Sequence, residues 1–268
     1  MAAHPEVDES IRRTRAISQR LRDEVLNLPL EAWDTPTNCP PWPVRRLVAH
    51  MVENGNFVRG NVEGGVAGRL ELSESQEQRV ARLQRIAAAP PAEVAATLDQ
   101  ITADLEANLE RLSADQLEAL CFHPAGNRPA RWYAVQRLIE LTMHYWDLDR
   151  SLGRDAAIEE DVARFVLPVI LESNLPRTYQ RGPKGEGRIR LVVEGAPQLS
   201  WLLTATPEAL RVERGGDGAD LTITAPAALL ALMVYGRASP LEAEGQGRAR
   251  VEGDRALAER FTTIFPGP

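Results

Sequence analysis

The sequence predicts a helical bundle joined to a small α+β domain, an α plus α+β fold class. Three observations carry that expectation. Apolar residues recur at helical spacing through the first part of the chain, a Pro- and Gly-rich stretch from Leu175 to Gly187 interrupts them, and beyond it the apolar period changes from 3.6 to 2. The expected division is 1–174 for the bundle with a trailing helix, 175–187 for a linker and 188–268 for the second domain. At 268 residues the chain is long enough for two cores, since typical domains hold about 100–150 residues.

The first helix is expected over 7–28, where Ile11, Ala16, Ile17, Leu21, Val25 and Leu26 keep helical spacing before Leu28-Pro29. Asp34 to Pro43 is rich in Pro and Thr and reads as a loop. Pro43 suits the first turn of the next helix, where its missing N–H costs nothing. That helix is expected to run to about Arg59, before Gly60 and the pair Gly64-Gly65. Helical patterns resume at 73–88, stop at Pro90-Pro91 and continue from 91 to about 111. A polar stretch from His123 to Pro129 precedes a helix at 130–151, with Gly153 at its C-cap. About four of these helices are long, with connections of varied length, which describes a four-helix bundle, and a helix over 157–173 trails it.

Past the linker, Ile189, Leu191 and Val193 alternate with Arg188, Arg190 and Val192. Leu202 starts a second extended run, Leu210 and Val212 alternate in a third, and Leu221 and Ile223 in a fourth. Gly215-Gly216 and Asp217-Gly218 read as hairpin turns. Pro226 opens a helix ending near Tyr235, and Asp254 can cap a last helix at 255–264.

The composition is that of an ordinary globular chain, 44% hydrophobic and 26% charged. A net charge of -7 and a pI near 5.3 argue against a nucleic-acid backbone as the main partner. No apolar run approaches the ~20 residues that span a bilayer. The N-terminus has neither a basic n-region nor an apolar h-region, so no secretory signal is expected. Cys39 and Cys121 are too few for a disulfide framework, which makes the cytoplasm the expected compartment. Lys184 is the only lysine among 31 basic side chains; so strong an arginine bias suggests GC-rich coding and an actinobacterial-type source.

The chain has four histidines, and two of them fall in informative helical segments. One reads Trp42-Pro-Val-Arg-Arg-Leu-Val-Ala-His50; the other reads Arg137-Leu-Ile-Glu140-Leu-Thr-Met-His144-Tyr-Trp-Asp147. Positions four apart lie on one helix face, so Glu140 and His144 can reach a common point, and His50 from a neighbouring helix can supply a third ligand. A lone helical His is more often a packed core residue, and a lone Glu-x-x-x-His a surface pair. Here, however, His50 lies among Leu47, Val48, Met51 and Val52, and Glu140 and His144 border Val135, Leu138, Ile139, Met143 and Trp146. Polar groups beside a core stripe must be paired or ligate something. Three N/O ligands with a vacant fourth position describe a catalytic zinc-type site.

The run from Pro36 to His50, Pro-Thr-Asn-Cys-Pro-Pro-Trp-Pro-Val-Arg-Arg-Leu-Val-Ala-His, resembles the start of the DinB-like metal-binding bundle. Together with Arg137-Leu138-Ile139-Glu140-Leu141-Thr142-Met143-His144-Tyr145-Trp146-Asp147-Leu148, it is similar to the mycothiol-dependent maleylpyruvate isomerase family. That resemblance implies zinc ligation by His50, Glu140 and His144, with water or a thiol as fourth ligand and mycothiol as cosubstrate. The zinc-activated thiolate would add to an electron-poor double bond, making the protein a cis–trans isomerase or a thiol S-transferase. The resemblance also implies a sterol-carrier-like C-terminal domain, on the pattern Val234-Tyr235-Gly236-Arg237 and Val251-Glu252-Gly253-Asp254. In the isomerases an arginine of that domain reaches the catalytic cleft, and Arg237 is the candidate to match it; a helix C-cap facing the dipole is its alternative reading. Pro43 and Arg46 stand where the family usually has Ser/Thr and an acidic residue, so the substrate need not be the type member's.

Asn54, one turn after His50, is a candidate to line the cleft and bind substrate. Asp147 can orient His144 from behind the metal, although a solvent-facing pair with Arg150 is the simpler expectation. Cys39 and Cys121 read as small packed side chains, and Trp42, Trp132 and Trp146 as core aromatics. A non-catalytic metal- or small-ligand-binding protein of the DinB-like superfamily stays open beside the enzyme. A hydrolase using zinc-bound water would need a general base that the sequence does not reveal. Expected partners are a small-molecule thiol and an electrophile, with no nucleic acid and no membrane, on a monomer or homodimer.

Overall fold

The computed structural model describes residues 4–72, 74–179 and 186–267. The chain forms two compact units, Met1–Ala157 and Ile158–Pro268.

The first unit holds α1 (Pro5–Asn27), a 3-10 turn at Leu30–Asp34, α2 (Val44–Val66), α3 (Gln76–Ala88), α4 (Pro91–Glu110), α5 (Ala114–Leu117), β1 (Leu120–Cys121), β2 (Arg128–Pro129) and α6 (Ala130–Ser151). Both α1 and α2 lie against α4 and α6, which makes these four helices the bundle, while α3 packs on α2. The apolar stripes meet in a core that includes Leu21, Val25, Leu47, Val48, Val52, Leu98, Leu141 and Leu148. Ser75 and Ser113 each accept from the backbone N–H three residues on, while Gln78 and Gln116 reach back, so capping boxes start α3 and α5.

Helix α2 runs a full two turns beyond the expected stop at Arg59. Its late glycines serve packing and do not end the helix: a Cβ on Gly65 would sit 2.4 Å from Cys121 Sγ and 2.6 Å from the Leu120 carbonyl oxygen. The short β1–β2 hairpin therefore lies directly on the helix backbone, and a two-residue strand leaves no periodic trace in sequence. At the other end of α6, Gly153 takes φ +71°, as a helix C-cap requires.

The second unit holds α7 (Glu160–Val169), a π-helical turn at Ile170–Asn174, α8 (Leu175–Thr178), β3 (Gly187–Val193), β4 (Ser200–Ala205), β5 (Leu210–Arg214), β6 (Leu221–Ala225), α9 (Ala227–Val234), α10 (Pro240–Gly245), β7 (Arg250–Gly253), α11 (Arg255–Glu259) and α12 (Phe261–Ile264). Its five strands run in the order β5-β4-β3-β6-β7. Only the β3–β6 pair is parallel, with Leu191 opposite Ile223; β4 joins antiparallel with Leu191 opposite Trp201. Ile189, Leu191 and Val193 are buried with Leu221, Ile223 and Ala225 on one sheet face.

Helix α7, placed by its sequence pattern at the end of the bundle, packs on α9 of the second unit. Glu160 supplies the reason. Pro226 has no side-chain cap to offer, and the Glu160 carboxylate accepts from the N–H groups of Ala227 (3.0 Å) and Ala228 (3.1 Å), the open start of α9. The expected linker, 175–187, begins as the helix α8, and its residues 180–185 lie outside the described ones. Strand β7 was not apparent in the sequence because it buries a single side chain, Val251. The Asp254 carboxylate accepts from Leu257 N–H at 3.0 Å and starts α11 as its residue type dictates; the expected 255–264 helix is interrupted at Arg260. Among the described residues no helix is long and apolar enough to cross a membrane.

Candidate metal centre

Two bundle helices and one loop build the site. Pro36 pairs with Pro43 across the loop, the Thr37 N–H and hydroxyl both donate to the Trp42 carbonyl, and the Cys39 N–H donates to the Thr37 hydroxyl. This closed loop sets Cys39 and Trp42 beside α2 and α6. The Trp42 ring lies 4.9 Å from that of His50 and 6.4 Å from that of His144.

His50 on α2 and Glu140 and His144 on α6 converge. Their ligating atoms all lie within 4.8 Å of one another. His50 Nε2 is 3.5 Å and His144 Nε2 3.8 Å from the same carboxylate oxygen, Glu140 Oε2. Ligands held ~2.0–2.2 Å from a tetrahedral ion stand ~3.4 Å apart, so these donors are spaced for one metal. Burial works against ionisation of Glu140, but the hydrogen bond to His50 and the fields of His144, His50 and Arg137 outweigh it and hold the carboxyl down to about 2. The donor set, two imidazoles and one carboxylate, fits a borderline cation such as zinc.

Asp147 corrects an expectation. It is fully buried and does not pair with Arg150 in solvent. Its Oδ2 lies 3.0 Å from His144 Nδ1 and accepts from Cys39 Sγ at 3.2 Å. One helical turn separates Asp147 from His144, so the side chain folds back toward the ring. Arg150 instead lies over the ring of Trp146, 5.8 Å from its centroid. An Nδ1–H donated to Asp147 would leave the Nε2 lone pair of His144 free for a metal, the arrangement that metal-binding histidines use. Cys39, read in sequence as packing alone, is a hydrogen-bond donor at this point, and Cys39, His144 and Asp147 form a second tight donor group.

Asn54, expected to line the cleft, is 7% exposed and turned into the core. Its Oδ1 accepts from Arg137 Nη1 at 3.2 Å, and the same nitrogen donates to the Met51 carbonyl at 2.6 Å. Arg137 is itself buried, and desolvation pushes its pKa down to about 10 against the pull of Glu140 and Glu53. It stays a cation, tying α6 to α2 one residue past His50. Gly55 makes the room: a Cβ there would stand 3.4 Å from the guanidinium and 2.4 Å from Ile101 Cγ2. Gln136, one turn before Glu140, donates to Glu140 Oε1 at 3.0 Å. Arg137 and Gln136 were not singled out in sequence, although both sit at helical spacing from the ligands.

Arg237 belongs to the second unit. Its Nη1 donates to the Tyr235 carbonyl at 2.9 Å and its guanidinium lies 5.6 Å from the Tyr235 ring centroid. Those contacts hold it at the C-terminal end of α9, where Gly236 takes φ +70°.

A helical bundle of the DinB type carrying a two-histidine, one-carboxylate donor set, followed by a sterol-carrier-like α+β unit, defines the class. The sequence profile of the mycothiol maleylpyruvate isomerase N-terminal domain matches residues 14–149, and that of the SCP-2 sterol transfer family matches 173–266. The chain belongs to the mycothiol maleylpyruvate isomerase family. In fold it is similar to the crystal structure of the mycothiol-dependent maleylpyruvate isomerase, with a TM-score of 0.63 and 17% identity over 87% of this chain and 90% of that one. An alanine mutant of that isomerase matches with the same figures. YfiT from Bacillus subtilis, described as a probable metal-dependent hydrolase with an unusual four-helix bundle topology, aligns at a TM-score of 0.48 and 18% identity over 58% of this chain and 92% of that one. No curated protein sequence matches the chain.

Proposed function

We propose that this protein is a zinc-dependent enzyme that uses mycothiol to attack an electron-poor carbon–carbon double bond, with an unsaturated acid as substrate. The observation that carries the reading is the convergence of His50 Nε2, Glu140 Oε2 and His144 Nε2 in a member of this family. These three side chains would hold the ion and leave a fourth position for the thiol. The bound ion supplies Lewis-acid chemistry, favouring the thiolate of a thiol whose free pKa is ~8.5.

The chain's own residues do the rest. Asp147, 3.0 Å from His144 Nδ1, would favour the tautomer that leaves the Nε2 lone pair free for the ion. Glu140 contributes one negative charge, and the buried Arg137 cation beyond it offsets that charge. Trp42 sets an apolar ring beside the two imidazoles, 4.9 Å from that of His50 and 6.4 Å from that of His144. Arg237, matched by resemblance, is proposed to bind the substrate carboxylate through its planar fork.

In the reaction the sulfur forms a bond to one alkene carbon and the π pair moves onto the conjugated oxygen as an enolate. The former double bond is then single and turns. When the enolate collapses, the C–S bond breaks, the double bond re-forms in the other geometry and the thiol returns unchanged. If the enolate is protonated instead, a thioether leaves and the enzyme is a thiol S-transferase.

Metal analysis coupled to a mycothiol screen against unsaturated acids tests the proposal. About one zinc per chain is expected, with loss of both metal and turnover in His144→Ala while the circular dichroism and melting of the fold persist. Thiol recovered after turnover marks an isomerase, and thiol consumed in step with substrate marks a transferase. Full metal content or full turnover in His144→Ala would overturn the ligand assignment.

A further inference from the structure

Glu140 has two carboxylate oxygens, and the structure gives them different work. Oε2 faces His50 Nε2 and His144 Nε2 at 3.5 and 3.8 Å. Oε1 accepts a hydrogen bond from Gln136 Nε2 at 3.0 Å. Gln136 and Glu140 are one helical turn apart on α6, so the rigid helix sets the reach between them. His144 lies one further turn along, and all three side chains share a helix face.

The distinction matters because a carboxylate binds a divalent ion through one oxygen or through both. Bound through both, Glu140 with two histidines would fill four positions, and a four-coordinate zinc would have none left for a thiol. Bound through Oε2 alone, it leaves the fourth position open. For Oε1 to turn to the ion, it must rotate away from the position in which it accepts from Gln136, and bonds to an ionised acceptor are the stronger kind.

We propose that Gln136 is a positioning residue that holds Glu140 in one-oxygen coordination and so keeps a coordination position free for the thiol cosubstrate. The inference rests on the metal assignment above and extends it from which residues ligate to how many positions they occupy. Gln136→Met keeps length and helix propensity but removes the donor. Gln136→Lys restores a donor of sufficient reach.

Cobalt(II) in place of zinc provides the test, because its visible absorption reports coordination number and a near-ultraviolet sulfur-to-cobalt band reports thiol binding. Full-length wild-type, Gln136→Met and Gln136→Lys proteins would be loaded with cobalt and titrated with mercaptoethanol. Gln136→Met is expected to bind the thiol ~10-fold or more weakly and to show an altered visible band, the scale usual for removing a partner of a metal ligand. Gln136→Lys should recover most of the thiol affinity. A purely structural role would lower the melting temperature and leave the cobalt spectrum and thiol titration unchanged. A wild-type thiol titration in Gln136→Met, or an equal deficit in both variants, overturns the role of Gln136. Failure of the wild-type protein to take up cobalt at all overturns the metal assignment itself.

Discussion

Replacing Asp147 offers a sharp test of how the site is held. Its Oδ2 serves both His144 Nδ1 at 3.0 Å and Cys39 Sγ at 3.2 Å, in a fully buried position. In Asp147→Ala the imidazole loses the carboxylate that faces its Nδ1, so the ring can rotate and the proton can shift to Nε2, which then cannot ligate. Hydrogen bonds to a charged group contribute ~1.5–3 kcal/mol. At ~1.4 kcal/mol per factor of ten, that predicts a ~10–100-fold loss of zinc affinity, the range seen when such partners of ligating histidines are removed. Asp147→Asn keeps an acceptor oxygen but not its charge, and should lose only ~5-fold, as a neutral bond of ~1 kcal/mol implies. The assay is competition for zinc between the metal-free protein and a chromophoric chelator at fixed pH. Melting of the metal-free forms runs alongside, because a buried donor left unpaired costs ~1–3 kcal/mol by itself. Zinc affinity indistinguishable from wild type in Asp147→Ala, or a larger loss in Asp147→Asn than in Asp147→Ala, would refute the reasoning.

Arg237→Ala should leave zinc content intact and lower turnover by ~10²-fold, the scale of losing one electrostatic stabiliser, with Arg237→Lys recovering part of it. If Arg237 serves only as the C-terminal cap of α9, turnover stays level and stability changes by less than ~1 kcal/mol; comparing turnover with melting temperature separates the two. In zinc-free protein, Glu140 is held at about 2, below its unfolded value of ~4.3. Its contribution to stability is therefore fully present above that unfolded value and fades as pH falls through the folded one. The melting-temperature gap between wild type and Glu140→Gln should accordingly narrow from about pH 5 to about pH 2, and a constant gap would contradict the assignment.

The sequence by itself determined the class of fold and the facing pair Glu140 and His144. Helical period, its change to alternation, and the capping residue Asp254 are local properties, readable because each depends on neighbours a few positions away. Glu140 and His144 were legible for the same reason: four residues along one helix fix their relation. His50 required a neighbouring helix, and its place was inferred from motif and resemblance.

What only the tertiary structure decided involves partners far apart in the chain. Nothing local shows that Cys39 meets Asp147 across 108 positions, or that Arg137 reaches back to Met51 and Asn54 to fasten α6 to α2. The glycines of α2 looked like a helix stop because Gly lowers helix propensity; packing against β1 overrides that weak preference, since a side chain at Gly65 would collide with Cys121. Helix α7 joined the second unit because Glu160 satisfies the bare N–H groups of α9, a demand set 67 residues downstream. Periodicity says which face of a helix is buried. What that face is buried against is settled only when distant polar groups must find partners in the folded core.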